Sequence, residues 1–196
     1  MRIGERFHEL GVFFCGFLKE PIKVGTGLQS TRFLAKKLDS ALEHLDLADG
    51  NVLELGAGTG RLTERIVKRL GSTTRLVCVE SEPLFVDYLK KKFGSDDRVT
   101  VVQGRAEDAR GHLDDLGIES VPSVVSAVPL SGRKNFSLLR TIRDCLSDNG
   151  RLVQMALVGR RSFEKEDFQY LRRLFILLNM PPEMLHVCEK RNGCGC

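Results

Sequence analysis

Chemistry concentrates first at Glu54-Leu55-Gly56-Ala57-Gly58-Thr59-Gly60. Glycines at alternate positions let a backbone turn sharply and approach a ligand with no Cβ in the way. The spacing departs from the dinucleotide fingerprint, which would want a third glycine or alanine where this chain has Arg61. A second acidic residue, Glu80, closes the next apolar run, where a carboxylate can accept hydrogen bonds from both ribose hydroxyls of a nucleoside cofactor. Further along stand Gln103-Gly104-Arg105-Ala106-Glu107 and Ser126-Ala127-Val128-Pro129-Leu130, each at the end of an apolar run.

Such residues meet only if a parallel sheet brings the ends of several strands together. The middle of the chain alternates short β-rich runs with helical ones, the pattern of strands joined by crossover helices. Strands are predicted at 51–55, 75–80, 98–102, 123–128 and 151–158. Helices are predicted at 61–70, from Ser81 as cap and Pro83 in the first turn to Phe93, and through Leu138, Leu139, Ile142 and Leu146 to a turn at Asp148-Asn149-Gly150. Phe163, Phe168, Leu171, Leu174 and Phe175 fit a helical period that gives way to a sixth strand near Arg172. Pro181-Pro182 makes a turn, and 184–190 pairs back as an antiparallel last strand. The expected fold class is α/β, a Rossmann-like seven-stranded, mostly parallel sheet with an antiparallel last strand and helices on both faces.

Two helices precede the sheet. Residues 30–45 place Leu34, Leu38, Ala41, Leu42 and Leu45 on one stripe behind a Ser30 cap, so this helix should dock on the sheet. Residues 5–19 instead crowd Phe7, Phe13, Phe14 and Phe17, four of the chain's 11 phenylalanines, between Arg2, Arg6, Lys19 and Lys23, as an interfacial helix on anionic lipid would. The organisation is thus an amphipathic arm at 1–27, a catalytic domain at 28–190 and a cysteine-containing tail at 191–196.

Composition sets bounds. An apolar share of 42% and a charged share of 29% describe an ordinary globular domain and exclude collagen-like, disordered and multi-span membrane classes. A net charge of +4 permits an anionic surface without demanding nucleic acid. Leu10 to Leu18 is too short to span a bilayer, and the acids Glu5 and Glu9 spoil a secretory signal, so an intracellular protein is expected. Six dispersed cysteines are no disulfide framework; Cys78 and Cys145 read as core residues, and Cys188, Cys194 and Cys196 with His186 match no zinc module, so no metal is expected.

The glycine motif with Glu80 resembles the class I S-adenosylmethionine-dependent methyltransferases. That resemblance implies S-adenosylmethionine as cofactor, its aminocarboxypropyl part on Gly56, Gly58 and Gly60 and its ribose on Glu80. Its wider set of cofactor-binding positions comprises Ser30, Thr31, Glu54, Ser81, Arg105, Ala106 and Ser126. Such enzymes commonly hold an Asp where Arg105 stands; Arg105 cannot accept from the adenine amino group, which leaves Glu107, Asp108 or the backbone near Ala106.

Phe17-Leu18-Lys19-Glu20-Pro21, Ser30-Thr31-Arg32, Ser126-x-Val128-Pro129-Leu130 and Leu178-Asn179-Met180-Pro181-Pro182-Glu183 further resemble the bacterial phospholipid N-methyltransferases. The implied partner is a phosphatidylethanolamine-type phospholipid whose amine is methylated by a monomer peripherally bound to an anionic membrane, cytoplasmic side, through 5–19. Candidate groups near the reacting amine are Ser126, Tyr170 and His186, with Glu189 also able to take a proton. The chain more distantly resembles the rRNA adenine dimethyltransferases, but Ala127 and Leu130 lack the polar and aromatic groups that orient and stack an extruded base, so nucleic acid is not the expected partner. A catalytically silent cofactor-binding module is the third reading.

Overall fold

The structure is a computed structural model that describes residues 27–128, 134–157, 168–176 and 183–191. The arm at 5–19, the tail beyond Arg191, Pro129-Leu130, the segment 158–167 and Asn179 to Pro182 lie outside the described residues.

A seven-stranded sheet forms the centre, with spatial order β3-β2-β1-β4-β5-β7-β6. Its strands are β1 (Val52–Leu55), β2 (Leu76–Glu80), β3 (Val99–Gln103), β4 (Val121–Ser126), β5 (Leu146–Leu157), β6 (Phe168–Ile176) and β7 (Glu183–Lys190). The pairs β1·β2, β2·β3, β1·β4 and β4·β5 are parallel, whereas β7 runs antiparallel to both β5 and β6, as the sequence pattern leads one to expect. β1 and β2 are buried throughout, which is why they read as continuous apolar runs.

Two helical layers cover the sheet. On one face α1 (Gly27–Leu42), α2 (Arg61–Val67) and α3 (Pro83–Phe93) bury Leu38, Ala41, Leu42, Leu62, Ile66, Leu89 and Phe93 against Val52, Leu76, Val125 and Val153. On the other, α4 (Ala109–Asp115) and α5 (Lys134–Cys145) bury Leu113, Leu138, Leu139 and Ile142 against Leu53, Val77, Val124 and Leu152. Asp39 ties α1 to α2 by accepting from both Arg65 and Arg69 at 2.7 Å.

Several boundaries differ from the sequence reading, each for a local reason. The docking helix starts at Gly27, so Ser30 lies inside its first turn rather than capping it. The cap of α3 is Glu82, not Ser81. α5 stops at Cys145, and Leu146 already pairs with Val121, after which the register jumps to Ser123↔Arg151. Pro122 lies at that irregularity with no N–H to give the ladder, and residues 147–150 of β5 are extra to the β4·β5 register there, with Asn149 at φ 58. β6 begins at Phe168, four residues before the expected start, because Leu171 is extra to the β6·β7 register; the bulge sends Phe168 and Leu174 to opposite faces and leaves Leu171 40% exposed, so their three-residue spacing mimics a helix.

Cysteine placement is partly as expected. Cys78 and Cys145 are core residues. Cys188, in the expected last strand, lies buried on β7 beside Leu152 and Phe168, and burial pushes its thiol up to about 12. Among the described residues no cluster of His, Cys, Asp and Glu could hold a metal ion.

Glu54, in the middle of β1, is fully buried; it accepts from the Thr63 hydroxyl at 2.7 Å and the Cys78 thiol at 3.3 Å. Desolvation raises its pKa from 4.5 to about 7, with the charge of Glu80 adding to the rise against the lowering effect of the Thr63 and Cys78 bonds. A raised acid favours folding fully below its unfolded value, and that stability is lost as pH climbs from about 4.5 through 7. Glu54→Gln removes this titration. Denaturant unfolding should show the variant more stable than wild type at pH 8, by up to about 3 kcal/mol, with the gap closing toward pH 4.5; an unchanged gap across that range would show that Glu54 does not titrate as described.

Candidate functional site

The carboxyl ends of β1 to β4 open onto one cleft of about 260 Å3, lined by Gly56, Val79, Ser81, Gly104, Arg105, Ala106, Glu107 and Val128. This is where ligands bind in open α/β sheets, outside the strand ends where crossovers part. The glycine loop forms one wall. Gly56, Gly58 and Gly60 adopt φ of 75, 53 and 74, the left-handed region. Two of them explain the loop's sequence. A Cβ on Gly60 would lie 2.7 Å from Phe93 and 2.9 Å from Leu89, so α3 packs directly on it. A Cβ on Gly58 would meet nothing within 4 Å, so its left-handed backbone and not packing calls for glycine, and the space beside it is open to a ligand.

Glu80 organises this wall. It is 7% exposed; one carboxylate oxygen accepts the Gly58 N–H at 2.8 Å and the other the Glu82 N–H at 2.9 Å, with the Ser81 hydroxyl at 3.5 Å. A carboxylate offers about four lone-pair sites, so two backbone bonds leave capacity for a diol. From sequence the residue has only the ribose role. The structure adds that it ties the turn to β2 and to the start of α3. Lys92 reinforces the link, donating to the Thr59 carbonyl at 3.3 Å while paired with Glu64 at 2.7 Å.

The sequence-derived residues are only partly brought together. Gly56, Ser81, Arg105 and Ala106 line the cleft, with Gly58 and Glu80 bonded at its edge. Freed from capping α3, Ser81 is exposed there. Arg105 is 64% exposed and pairs with Glu107 at 3.4 Å, so a carboxylate does reach this end, from two residues beyond the expected Asp position; Asp108 is not on the wall. Gly60 turns the chain into α2, and Ser30 and Thr31 lie in the first turns of α1. Glu54 is not on the cleft wall. It lies beneath the loop, with Oε1 buried and lacking any hydrogen bond.

Ser126 is fully buried, its hydroxyl oxygen without a hydrogen bond. His186 and Tyr170 lie away from the cleft on β7 and β6, their rings 5.5 Å apart, with the Arg173 guanidinium 3.9 Å over the Tyr170 ring. Burial, with the Arg173 charge, lowers the His186 pKa to about 4, so its imidazole is neutral at neutral pH. One residue escapes the sequence reading. Gln154, fully buried on β5, donates to the Val128 carbonyl at 2.9 Å and joins Ser126 and His186 through the register pairs Ser126↔Gln154 and Gln154↔His186. Its signal was a lone amide within the apolar run Leu152-Val153-Gln154-Met155-Ala156-Leu157.

Comparison with known proteins agrees with this geometry. The family described as "Ribosomal RNA adenine dimethylase" matches residues 30–109. The ornithine lipid N-methyltransferase of Singulisphaera acidiphila is 30% identical over 144 residues, covering 70% of this chain and 74% of that protein. A Methanosarcina mazei protein named "Probable ribosomal RNA small subunit methyltransferase A" is 31% identical over 125 residues, 62% of this chain but only 42% of its own length. Among solved structures, the N-methyltransferase NodS from Bradyrhizobium japonicum WM9 superposes with a TM-score of 0.68 at 13% identity, covering 85% of this chain and 99% of that one, which shows a shared fold.

The donor set suits S-adenosylmethionine, the methyl donor that the family implies. Gly58 leaves room, Glu80 keeps acceptors for the ribose, and the buried Glu54 oxygen without a hydrogen bond favours a cationic ligand nearby. The glycines should therefore part company on substitution. By calorimetry Gly58→Ala is expected to weaken S-adenosylhomocysteine binding at least ~10-fold while costing only the ~1–2 kcal/mol of a left-handed alanine. Gly60→Ala should add ~1–3 kcal/mol of overpacking against Phe93 and Leu89 in an unfolding titration. Wild-type affinity in Gly58→Ala would refute this assignment of the wall. The chain belongs to the class I S-adenosylmethionine-dependent methyltransferases, in one family with its ornithine lipid N-methyltransferase relative.

Proposed function

We propose that this methyltransferase acts on the primary amine of a membrane lipid, an ethanolamine-type phospholipid being the first candidate. One observation carries the reading. Where a base-methylating site needs a polar side chain and a stacking ring, this chain has Ala127 and Leu130, and Val128 walls the cleft beside Gly56. An apolar wall of this kind suits a flexible aliphatic amine carried beside acyl chains. The resemblance to a protein named for methylating ornithine lipid, across 70% of this chain, supports the same substrate class. The adenine dimethylase match ends at residue 109, before the acceptor segment, and so speaks to the cofactor half.

When bound, the sulfonium supplies an electrophilic methyl group, and alignment with exclusion of water is the main remaining task. Glu80 and the glycine turn would hold the donor's sugar and amino-acid ends, and Arg105 and Glu107 would lie beside its base. Val128 and Ala127 keep water from the amine; its desolvation lowers the ammonium pKa and releases the nucleophilic free base without a strong base nearby. Ser126 offers a hydrogen-bond acceptor. Tyr170 and His186 stand on strands beyond β5, which suits them to passing a proton outward more than to touching the amine. Residues 5–19 form the membrane-binding arm. No helix among the described residues is long and apolar enough to cross a bilayer.

Labelled S-adenosylmethionine offered with phosphatidylethanolamine vesicles, ornithine lipid vesicles or RNA should place label in lipid, and label confined to RNA would overturn the reading. Flotation of vesicles containing anionic lipid should be lost on deleting residues 1–20; flotation indifferent to that deletion would remove the arm's role.

A further inference from the structure

We propose that Gln154 is a positioning residue for methyl transfer, holding the Val128 carbonyl at the acceptor end of the cleft. This rests on the lipid-amine reading above only for the identity of the acceptor. Gln154 has no exposed surface, and its amide nitrogen donates to the carbonyls of Val128 at 2.9 Å and Met155 at 2.6 Å. Two acceptors around one terminal nitrogen set the amide's orientation, because turning it over would press Oε1 against both carbonyl oxygens. Val128 belongs to the cleft wall, where it packs so closely over Gly56 that a Cβ there would come within 3.0 Å. One hydrogen bond from the centre of the sheet therefore sets the backbone that faces the methyl.

An amide buried in a central strand is costly unless bonded, roughly 1–3 kcal/mol per unsatisfied group. Oε1 of Gln154 is buried with no hydrogen bond, so the residue is a poor choice for stability alone. Its neighbours sharpen the point: Leu152 and Val153, just before it in β5, serve the two apolar clusters. What Gln154 does that an aliphatic residue cannot is donate to Val128. A carbonyl oxygen has two lone pairs. Gln154 occupies one, and the second would take an N–H of the incoming amine. The amine would then be met by an acceptor whose direction is fixed before binding, which is the condition for a well-aligned transfer.

Two variants of the full chain test this. Gln154→Leu removes the donor at nearly constant volume. Gln154→Glu can donate only while protonated, and once ionised it repels the Val128 carbonyl. For Gln154→Leu, S-adenosylhomocysteine affinity by calorimetry should stay within about twofold, while kcat for labelling vesicles of phosphatidylethanolamine and phosphatidylglycerol falls on the order of 10–100-fold. Amide exchange should speed up in the peptide holding Ala127 and Val128 and not in the glycine loop. For Gln154→Glu, the rate relative to wild type should fall as pH rises from 6 to 8. Wild-type turnover in Gln154→Leu, exchange unchanged at Val128, or a Gln154→Glu profile parallel to wild type would each overturn the proposal. If wild type labels no lipid, the acceptor reading fails separately, and the exchange comparison still decides whether Gln154 anchors Val128.

Discussion

The carboxylate of Glu80 holds the site together. One oxygen receives the Gly58 amide and the other the Glu82 amide, both within 3 Å, so a single buried side chain joins the end of β2, the glycine turn after β1 and the start of α3. Hydrogen bonds to charged groups contribute about 1.5–3 kcal/mol each, enough to hold a turn of left-handed residues that would otherwise relax. α3, positioned by this contact, closes over Gly60 with Leu89 and Phe93 and returns Lys92 to the Thr59 carbonyl. The turn, its lid of apolar side chains and the Glu80 carboxylate are one unit.

The two faces of the sheet contribute differently to the cleft. Beneath the glycine loop, on the face covered by α1, α2 and α3, lies Glu54, an acid whose burial makes its charge state responsive near neutrality. On the face covered by α4 and α5 runs the row Ser126, Gln154 and His186, linked strand to strand by register. All three are buried in an otherwise apolar layer. Polar groups placed this way weaken a core, and they cluster under the strand ends that face the acceptor. On one side of β1 a carboxylate thus fixes the glycine turn, and on the other an amide bonds the Val128 carbonyl.

Much of this was legible in the sequence because it follows from local rules. Alternating glycines after an apolar run announced the turn, a carboxylate closing the next run announced a polar group beside it, and the pattern of apolar runs located the strands and the reversed last one. What escaped depends on contacts distant in the chain. Gln154 looked like one polar residue in a strand, and its meaning came only when β4 paired with β5. The bulge at Leu171 disguised a strand as a helix, since one extra residue makes period two look like period three. Ser81 suited the cap of α3 by type, yet Pro83 and the Glu80 bond start that helix at Glu82, leaving Ser81 for the cleft. Cys188 read as one residue of an edge strand, and pairing of β7 with β5 and β6 put it in the core.

The replacement of an acceptor by Arg105 is the chain's clearest departure from its family's pattern, and the Glu107 carboxylate beside it is positioned to compensate. It also makes donor placement the point on which the whole account turns. A crystal structure with S-adenosylhomocysteine measures that directly. The account predicts the ribose hydroxyls on Glu80, the base between Arg105 and Glu107, and the sulfur directed toward Val128. A nucleoside lying outside this cleft, or reversed so that its base meets Val128, would contradict it.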